Sequence, residues 1–263
     1  MIYINNQEKI NRLNLKESSF YVVADFDQTL TEGSSVSTWE VVANDAEFGA
    51  EYTRKRKEYY NYYRPMEIDP NLPEDEKAKA MDEWWRKHIN LFYEYKMNET
   101  AMKNSLNKCK LNYRNGAKEF INKMHEKNIP VIIISAGIGN VIEHFFKEEN
   151  DLHSNIKIVS NFIRFENGLI KEMNEKTIHS LNKNIVSLDE NLKAELSNKK
   201  ILLLGDGLGD LKMLGNFNQE KAITVGFLDA KIEENLEVFN KSFDIVITHE
   251  GSLEDVNNIL KIY

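Results

Sequence analysis

Residues 20–31 read FYVVADFDQTLT: five apolar or aromatic residues in a row, then two aspartates one residue apart, then a turn holding two threonines. An apolar run without polar alternation is the pattern of a parallel strand covered on both faces. Three more runs share it, PVIIIS (130–135), ILLLG (201–205) and FDIVIT (243–248), and weaker ones occur at AITVGF (222–227) and IKIVS (156–160). Helical patterns separate them. Residues 118–127 put Phe120, Ile121 and Met124 on one face and stop at Asn128 and Pro130. Strand–helix alternation of this kind predicts an α/β fold, a doubly wound, Rossmann-like parallel sheet.

Residues 36–113 differ in texture. They are rich in Lys, Glu, Tyr and Trp and lack a β-branched run, and Met81, Trp84, Trp85, His88, Ile89 and Phe92 fall on one helical stripe. The expectation is a helical insertion over 36–113 in a core made of 1–35 and 114–263. A smaller excursion is expected near 161–176, where Glu166-Asn167-Gly168 has the chemistry of a hairpin turn.

The net charge of −8 argues against general binding to nucleic-acid polymers or anionic membranes. It leaves open a small anionic ligand, because a metal and a few local cations outweigh the global field. Cys109 is the lone cysteine, so no intrachain disulfide can form and a reducing cytoplasm is the natural setting. No stretch approaches the ~20 apolar residues of a membrane helix. A soluble, monomeric protein is expected.

In open parallel sheets ligands bind beyond the carboxyl ends of the strands. There the sequence sets Asp25 and Asp27, then Ser135-Ala136-Gly137, then Gly205-Asp206-Gly207-Leu208-Gly209-Asp210. Crowded carboxylates need a cation, and an all-oxygen set near phosphate favours Mg²⁺. The turn after Ser135, leading into a helix from Ile138, suits a phosphate. Lys183 is one candidate for a cation on the phosphate's other side. Singly, each aspartate reads as well as a helix cap or turn former; it is their joint occurrence at successive strand ends that points to chemistry.

These residues resemble the haloacid dehalogenase superfamily of phosphohydrolases in all four motifs: DFDQTLT (25–31), Ser135, Lys183 and GDGLGD (205–210). The resemblance implies Asp25 as nucleophile and Asp27 as general acid and later base. It implies Mg²⁺ held by Asp25, the backbone carbonyl of Asp27 and Asp206, with Asp210 behind them. Ser135 and Lys183 would bind phosphate oxygens. The runs YYRPMEIDPNLPEDEK, MDEWWRKH, SAGIGNVIE, IVSNF, GDGLGDLKM and SFDIVI are similar to the cytosolic 5′-nucleotidase III (pyrimidine 5′-nucleotidase) family. That likeness implies that the insertion is a cap, that Glu67 bonds base nitrogens, that Trp85 stacks on the base, and that Ser135, Ala136 and Gly137 hold the phosphate. Residues 31–52 depart from the family.

Several readings stay open at this level. The substrate is expected to be a nucleoside monophosphate, a pyrimidine one by default, with 7-methylguanine suited to an indole and a carboxylate. The alternatives are a phosphatase for phosphoserine or a sugar phosphate, and a nucleotide-binding regulator without turnover. By periodicity alone Trp84 and Trp85 are core residues of the insertion, and Glu67 is a solvated loop residue. His88 is expected to be structural, and His179 to orient the loop of Lys183.

Overall fold

The computed structural model describes residues 1–17, 19–42, 45–69, 71–173, 176–183, 190–197, 199–215 and 219–263, less the side chains of residues 17, 45–47, 191, 195 and 197. In chain order the strands are β1 (Ile2–Ile4), β2 (Phe20–Ala24), β3 (Val131–Ile138), β4 (Ile156–Asn161), β5 (Ile163–Glu166), β6 (Leu169–Met173), β7 (Lys200–Gly205), β8 (Ala222–Leu228) and β9 (Ile245–Thr248). The helices are α1 (Gln7–Leu13), α2 (Thr38–Val42), α3 (Asp45–Ile68), α4 (Glu74–Glu94), α5 (Glu99–Lys108), α6 (Ala117–Glu126), α7 (Gly139–Glu148), α8 (Glu190–Ser197), α9 (Ile232–Ser242) and α10 (Leu253–Leu260).

Among the described residues the main sheet runs β1-β9-β8-β7-β2-β3-β4. All its pairings are parallel except the β1–β9 edge. The chain starts the parallel sheet at β2, moves out through β3 to β4, then returns to β7 on the other side of β2. The order reverses between β2 and β7, the switch point at which doubly wound folds bind ligands.

Side chains alternate across this sheet into two apolar layers. Val22, Ala24, Val131, Ile133, Leu202 and Leu204 face α6, α7 and α10. Tyr21, Val23, Ile132, Ile134, Ile201 and Leu203 face α8 and α9. Both faces are covered, which is why these strands read as unbroken apolar runs. Such burial contributes roughly 1.5–3 kcal/mol per large aliphatic side chain.

Two strand ends differ from expectation. The strand expected to turn at Ser135 continues to Ile138, with a register shift between Ile134 and Ile138. The last strand begins at Ile245, because Phe243 caps α9 and the buried Asp244 accepts from the Thr224 amide and hydroxyl. The short edge strand β1 has exposed Ile2 and Ile4 and carried no sequence signal.

Between β2 and β3 the chain forms α2 to α5 before α6 packs on the sheet. A cluster of Val41, Tyr52, Leu91, Phe92 and Met102 joins these helices to Ile138 and Val141. A second, smaller cluster of Tyr63, Met81 and Trp84 lies towards the outer end of the α3–α4 pair, with Leu181 against it. Strands β5 and β6 form the expected hairpin, turning at Asn167 and Gly168, both at positive φ; residues 174–175 of that excursion lie outside the described residues. No helix is long and apolar enough to cross a membrane among the described residues.

Candidate active site

Asp25 follows β2 directly, its amide bonded to the Leu204 carbonyl of β7. The chain then winds tightly: the amides of Thr29, Leu30 and Thr31 all point at the Phe26 carbonyl. Arg114, 1% exposed, fixes this turn from beneath by donating to the carbonyls of Gln28, Thr29 and Gly251 and pairing with Asp229 at 2.7 Å.

Asp25, Asp206 and Asp210 bring carboxylate oxygens within 4.8 Å of one another. Lys183 lies buried among them, 2.9 Å from Asp25 Oδ1 and 2.6 Å from Asp210 Oδ1. Asp210 is fully committed: its other oxygen accepts the amides of Asp206 and Gly207 at 3.0 and 2.9 Å. Gly205 has no room for a side chain, since a Cβ would meet Asp210 at 2.5 Å. Asp206 accepts only a long bond from the Thr29 hydroxyl, 3.3 Å, among the described contacts. Asp25 Oδ1 is buried against the Lys183 ammonium.

The electrostatics follow from this crowding. Burial pushes the Asp25 carboxyl up to about 6, partly offset by Lys183 and reinforced by Asp210. Burial and then the Asp25 charge push Asp27 up to about 7. Asp206 is raised well above the usual carboxylate range by burial, Asp210 and Asp25. For Lys183 burial opposes the charge, yet Asp210 and Asp25 hold the ammonium above its ordinary range. Three crowded carboxylates in an all-oxygen set, with one buried lysine between them, fit a hard divalent cation. Asp25 and Asp206 are the residues placed to hold one, whereas Asp210, which accepts two amides, orients its neighbours.

Asp27 sits across from this cluster, its two oxygens accepting the amide and hydroxyl of Thr38 at 3.0 and 2.9 Å. Ser135 is buried, and its Oγ accepts the Gly137 amide at 3.0 Å. The Ala136 carbonyl is turned towards three donors: Trp39 Nε1 at 2.9 Å, Trp85 Nε1 at 3.2 Å and Asn161 Nδ2 at 2.9 Å. Trp85 is half-buried, edge-on to Trp39, while Trp84 is buried in the insertion's core. Glu67 accepts from the Ser180 hydroxyl at 2.6 Å and pairs with Arg64. His179 pairs with Asp82 at 3.2 Å. Among the described residues, Glu67 and Asp82 thus bring α3 and α4 into polar contact with the turn that carries Lys183.

The residues singled out from sequence therefore gather at one sheet edge, with Glu67 and Trp85 reaching it from the insertion. Sequence reasoning missed Thr38, Trp39, Asn161, Ser180 and Arg114. A signal for the first two existed: Ser37 and Glu40 exchange capping bonds at the start of α2, the S-x-x-E pattern of a helix start.

Fold and acidic cluster together define a phosphatase of the haloacid dehalogenase type. Phosphoserine phosphatase superposes with a TM-score of 0.61 over 92% of this chain and 99% of that one, at 17% identity, a likeness of fold alone. The crystal structure of cytosolic 5′-nucleotidase IIIB bound to cytidine superposes with a TM-score of 0.83, at 26% identity, over 99% of this chain and 93% of the other. The chain belongs to the pyrimidine 5′-nucleotidase (UMPH-1) family, which it matches over residues 25–263. Among curated relatives, a 7-methylguanosine phosphate-specific 5′-nucleotidase from Xenopus laevis is 36% identical, over 97% of this chain and 91% of its own. The Homo sapiens protein of that description is 32% identical, over 91% and 83%.

Proposed function

We propose that the chain is a Mg²⁺-dependent 5′-nucleotidase that hydrolyses nucleoside 5′-monophosphates through an aspartyl-phosphate on Asp25. The observation that carries this reading is the buried Asp25 carboxylate, 2.9 Å from Lys183 and clustered with Asp206 and Asp210 at the switch point of the sheet. Asp25 attacks phosphorus and the P–O ester bond breaks. Asp27 gives its proton to the departing 5′-oxygen, so the nucleoside leaves as an alcohol. Water then attacks the phospho-Asp25, surrendering a proton to Asp27, and inorganic phosphate departs with Asp25 restored. Lys183 and Ser135 hold phosphate oxygens, with the amides of the 135–137 segment beside them. Mg²⁺, held by Asp25, Asp206 and the Asp27 carbonyl, would supply the charge neutralisation that attack on a phosphate dianion demands.

In this reading residues 36–113 are a cap over the site, with the Trp85 ring against the base and the Glu67 carboxylate at its nitrogens. Two names bear on the base. The two curated relatives described above are specific for 7-methylguanosine phosphate, and a cationic purine suits an electron-rich indole and a carboxylate. The family description and the bound cytidine favour a pyrimidine as the second reading. The lone thiol Cys109 is in keeping with a cytoplasmic setting.

The test is phosphate release from CMP, UMP, GMP, AMP, 7-methyl-GMP, phosphoserine and glucose 6-phosphate, with Mg²⁺ and with EDTA. Mg²⁺-dependent release concentrated on one or two nucleotides and lost in Asp25→Asn is expected. Release spread over sugar phosphates would remove the roles of Glu67 and Trp85, and activity surviving in Asp25→Asn would remove the covalent route.

A further inference from the structure

We infer that Thr38, the first residue of α2, is a positioning residue for the general acid, aligning the Asp27 carboxyl for proton delivery to the leaving oxygen. The inference rests on the proposed role of Asp27. One residue engages both oxygens of that carboxyl: the Thr38 amide donates to Oδ1 at 3.0 Å and its hydroxyl to Oδ2 at 2.9 Å. The hydroxyl has a fixed direction. Its oxygen already accepts the Ile138 amide at 3.0 Å, so its own hydrogen is left for Asp27. The carboxyl is thereby locked in rotation, and only its remaining lone pairs are open to carry the transferable proton.

The surroundings leave little slack. Thr38 is fully buried. A Cβ on Gly137 would stand 2.0 Å from the Thr38 hydroxyl and 3.0 Å from Asp27 Oδ2, so acid, threonine and the 135–137 backbone pack against one another. The amide chain from Ile138 through Thr38 to Asp27 links the phosphate-binding segment to the acid. Holding a catalytic group in its productive orientation is a recognised source of rate.

The discriminating readout is dependence on the leaving group. A nucleoside alkoxide needs a proton as it departs, whereas the nitrophenolate of p-nitrophenyl phosphate leaves without one. For each enzyme kcat/KM is measured on the preferred nucleotide and on p-nitrophenyl phosphate, since this quantity reports the first transfer, before Asp27 acts as base. Both substrates see the same preparation, so any loss of folded protein cancels in their ratio. Thr38→Val, which keeps the shape and drops the hydroxyl, is expected to lower the nucleotide value at least about tenfold more than the nitrophenyl value, part of the ~10²–10⁴ that general acid catalysis supplies. Thr38→Ser should return the ratio to within about threefold of the parent's. Asp27→Asn should show the same inequality, larger. Equal losses in Thr38→Val beside unequal losses in Asp27→Asn would overturn the positioning role and leave the acid standing. Equal losses in Asp27→Asn would overturn both.

Discussion

The indole N–H of Trp85, on α4, donates to the carbonyl of Ala136 at 3.2 Å. The side chain proposed to hold the base is therefore bonded to the backbone proposed to hold the phosphate, and the two ends of a nucleotide would be sensed through one residue. Trp85→Phe keeps an aromatic face and loses the donor. Its kcat/KM for the preferred nucleotide is expected to fall about fivefold, the worth of one neutral hydrogen bond of ~1 kcal/mol. Trp85→Ala should lose several-fold more with the stacking surface. A Trp85→Phe enzyme equal to the parent would break the proposed connection.

Lys183 is buried between two carboxylates and pairs with both. Lys183→Met preserves the stem and removes the cation, leaving Asp25 and Asp210 facing each other. Turnover should vanish, and urea unfolding should show a loss of about 3–5 kcal/mol, the usual result of breaking a buried pair. Adding Asp210→Asn to Lys183→Met should restore part of that stability. A Lys183→Met protein as stable as the parent would contradict the pairing.

The cluster of Asp25, Asp206 and Asp210 predicts stabilisation by a divalent cation that needs no substrate to be seen. With Mg²⁺ at a hundred times its Kd, linkage gives about 2.7 kcal/mol, read as a rise in Tm that EDTA reverses. Asp206→Asn should flatten the response while leaving the protein folded. An Asp206→Asn melt that responds like the parent's would place the ion elsewhere.

His88 supplies a pH dependence separate from the catalytic groups. Burial, with Arg56 adding to it, pulls its pKa from 6.5 to about 4, and its Nε2 accepts the Trp84 indole at 3.1 Å, so the folded state holds the ring neutral. Between these two values the unfolded chain binds the extra proton, so stability falls as pH drops from about 6.5 and levels off below about 4. The shift sets an upper bound of roughly 3 kcal/mol, reduced because the ring is only half-buried. Denaturant titrations of parent and His88→Gln across pH 4–7 should differ in slope; identical slopes would mean that the ring titrates freely.

The sheet was legible in the sequence because covered strands cannot hide: β2, the first four residues of β3 (131–134) and the interior of β7 are apolar or aromatic throughout. The aspartates were legible for a related reason, since a carboxylate that ends such a run lies at the strand's carboxyl edge whatever the loops do. Lys183 was not, because its partners Asp25 and Asp210 lie far from it in the chain and only the family resemblance singled it out. Thr38 and Trp39 fall in the segment that departs from the family, and their partners Asp27 and Ala136 are reached through tertiary contacts. Nothing in the sequence marks Arg114 off from the other arginines, although it is the most deeply buried of them.

The hairpin β5–β6 reaches the junction of α4 and α5 and bonds to it through backbone: the Glu99 amide to the Gly168 carbonyl and the Ile170 amide to the Met97 carbonyl. At the other end, α2 is tied down by Thr38 and Trp39. Both ends of the insertion are thus moored, whereas the outer end of the α3–α4 pair meets the 179–181 turn through side chains, Glu67 on Ser180, Asp82 on His179 and the cluster of Tyr63, Met81 and Trp84 on Leu181. In the cap proposed above that outer edge is the one expected to lift for nucleotide passage, and amide hydrogen exchange should be slow at residues 97–102 and fast at 64–69.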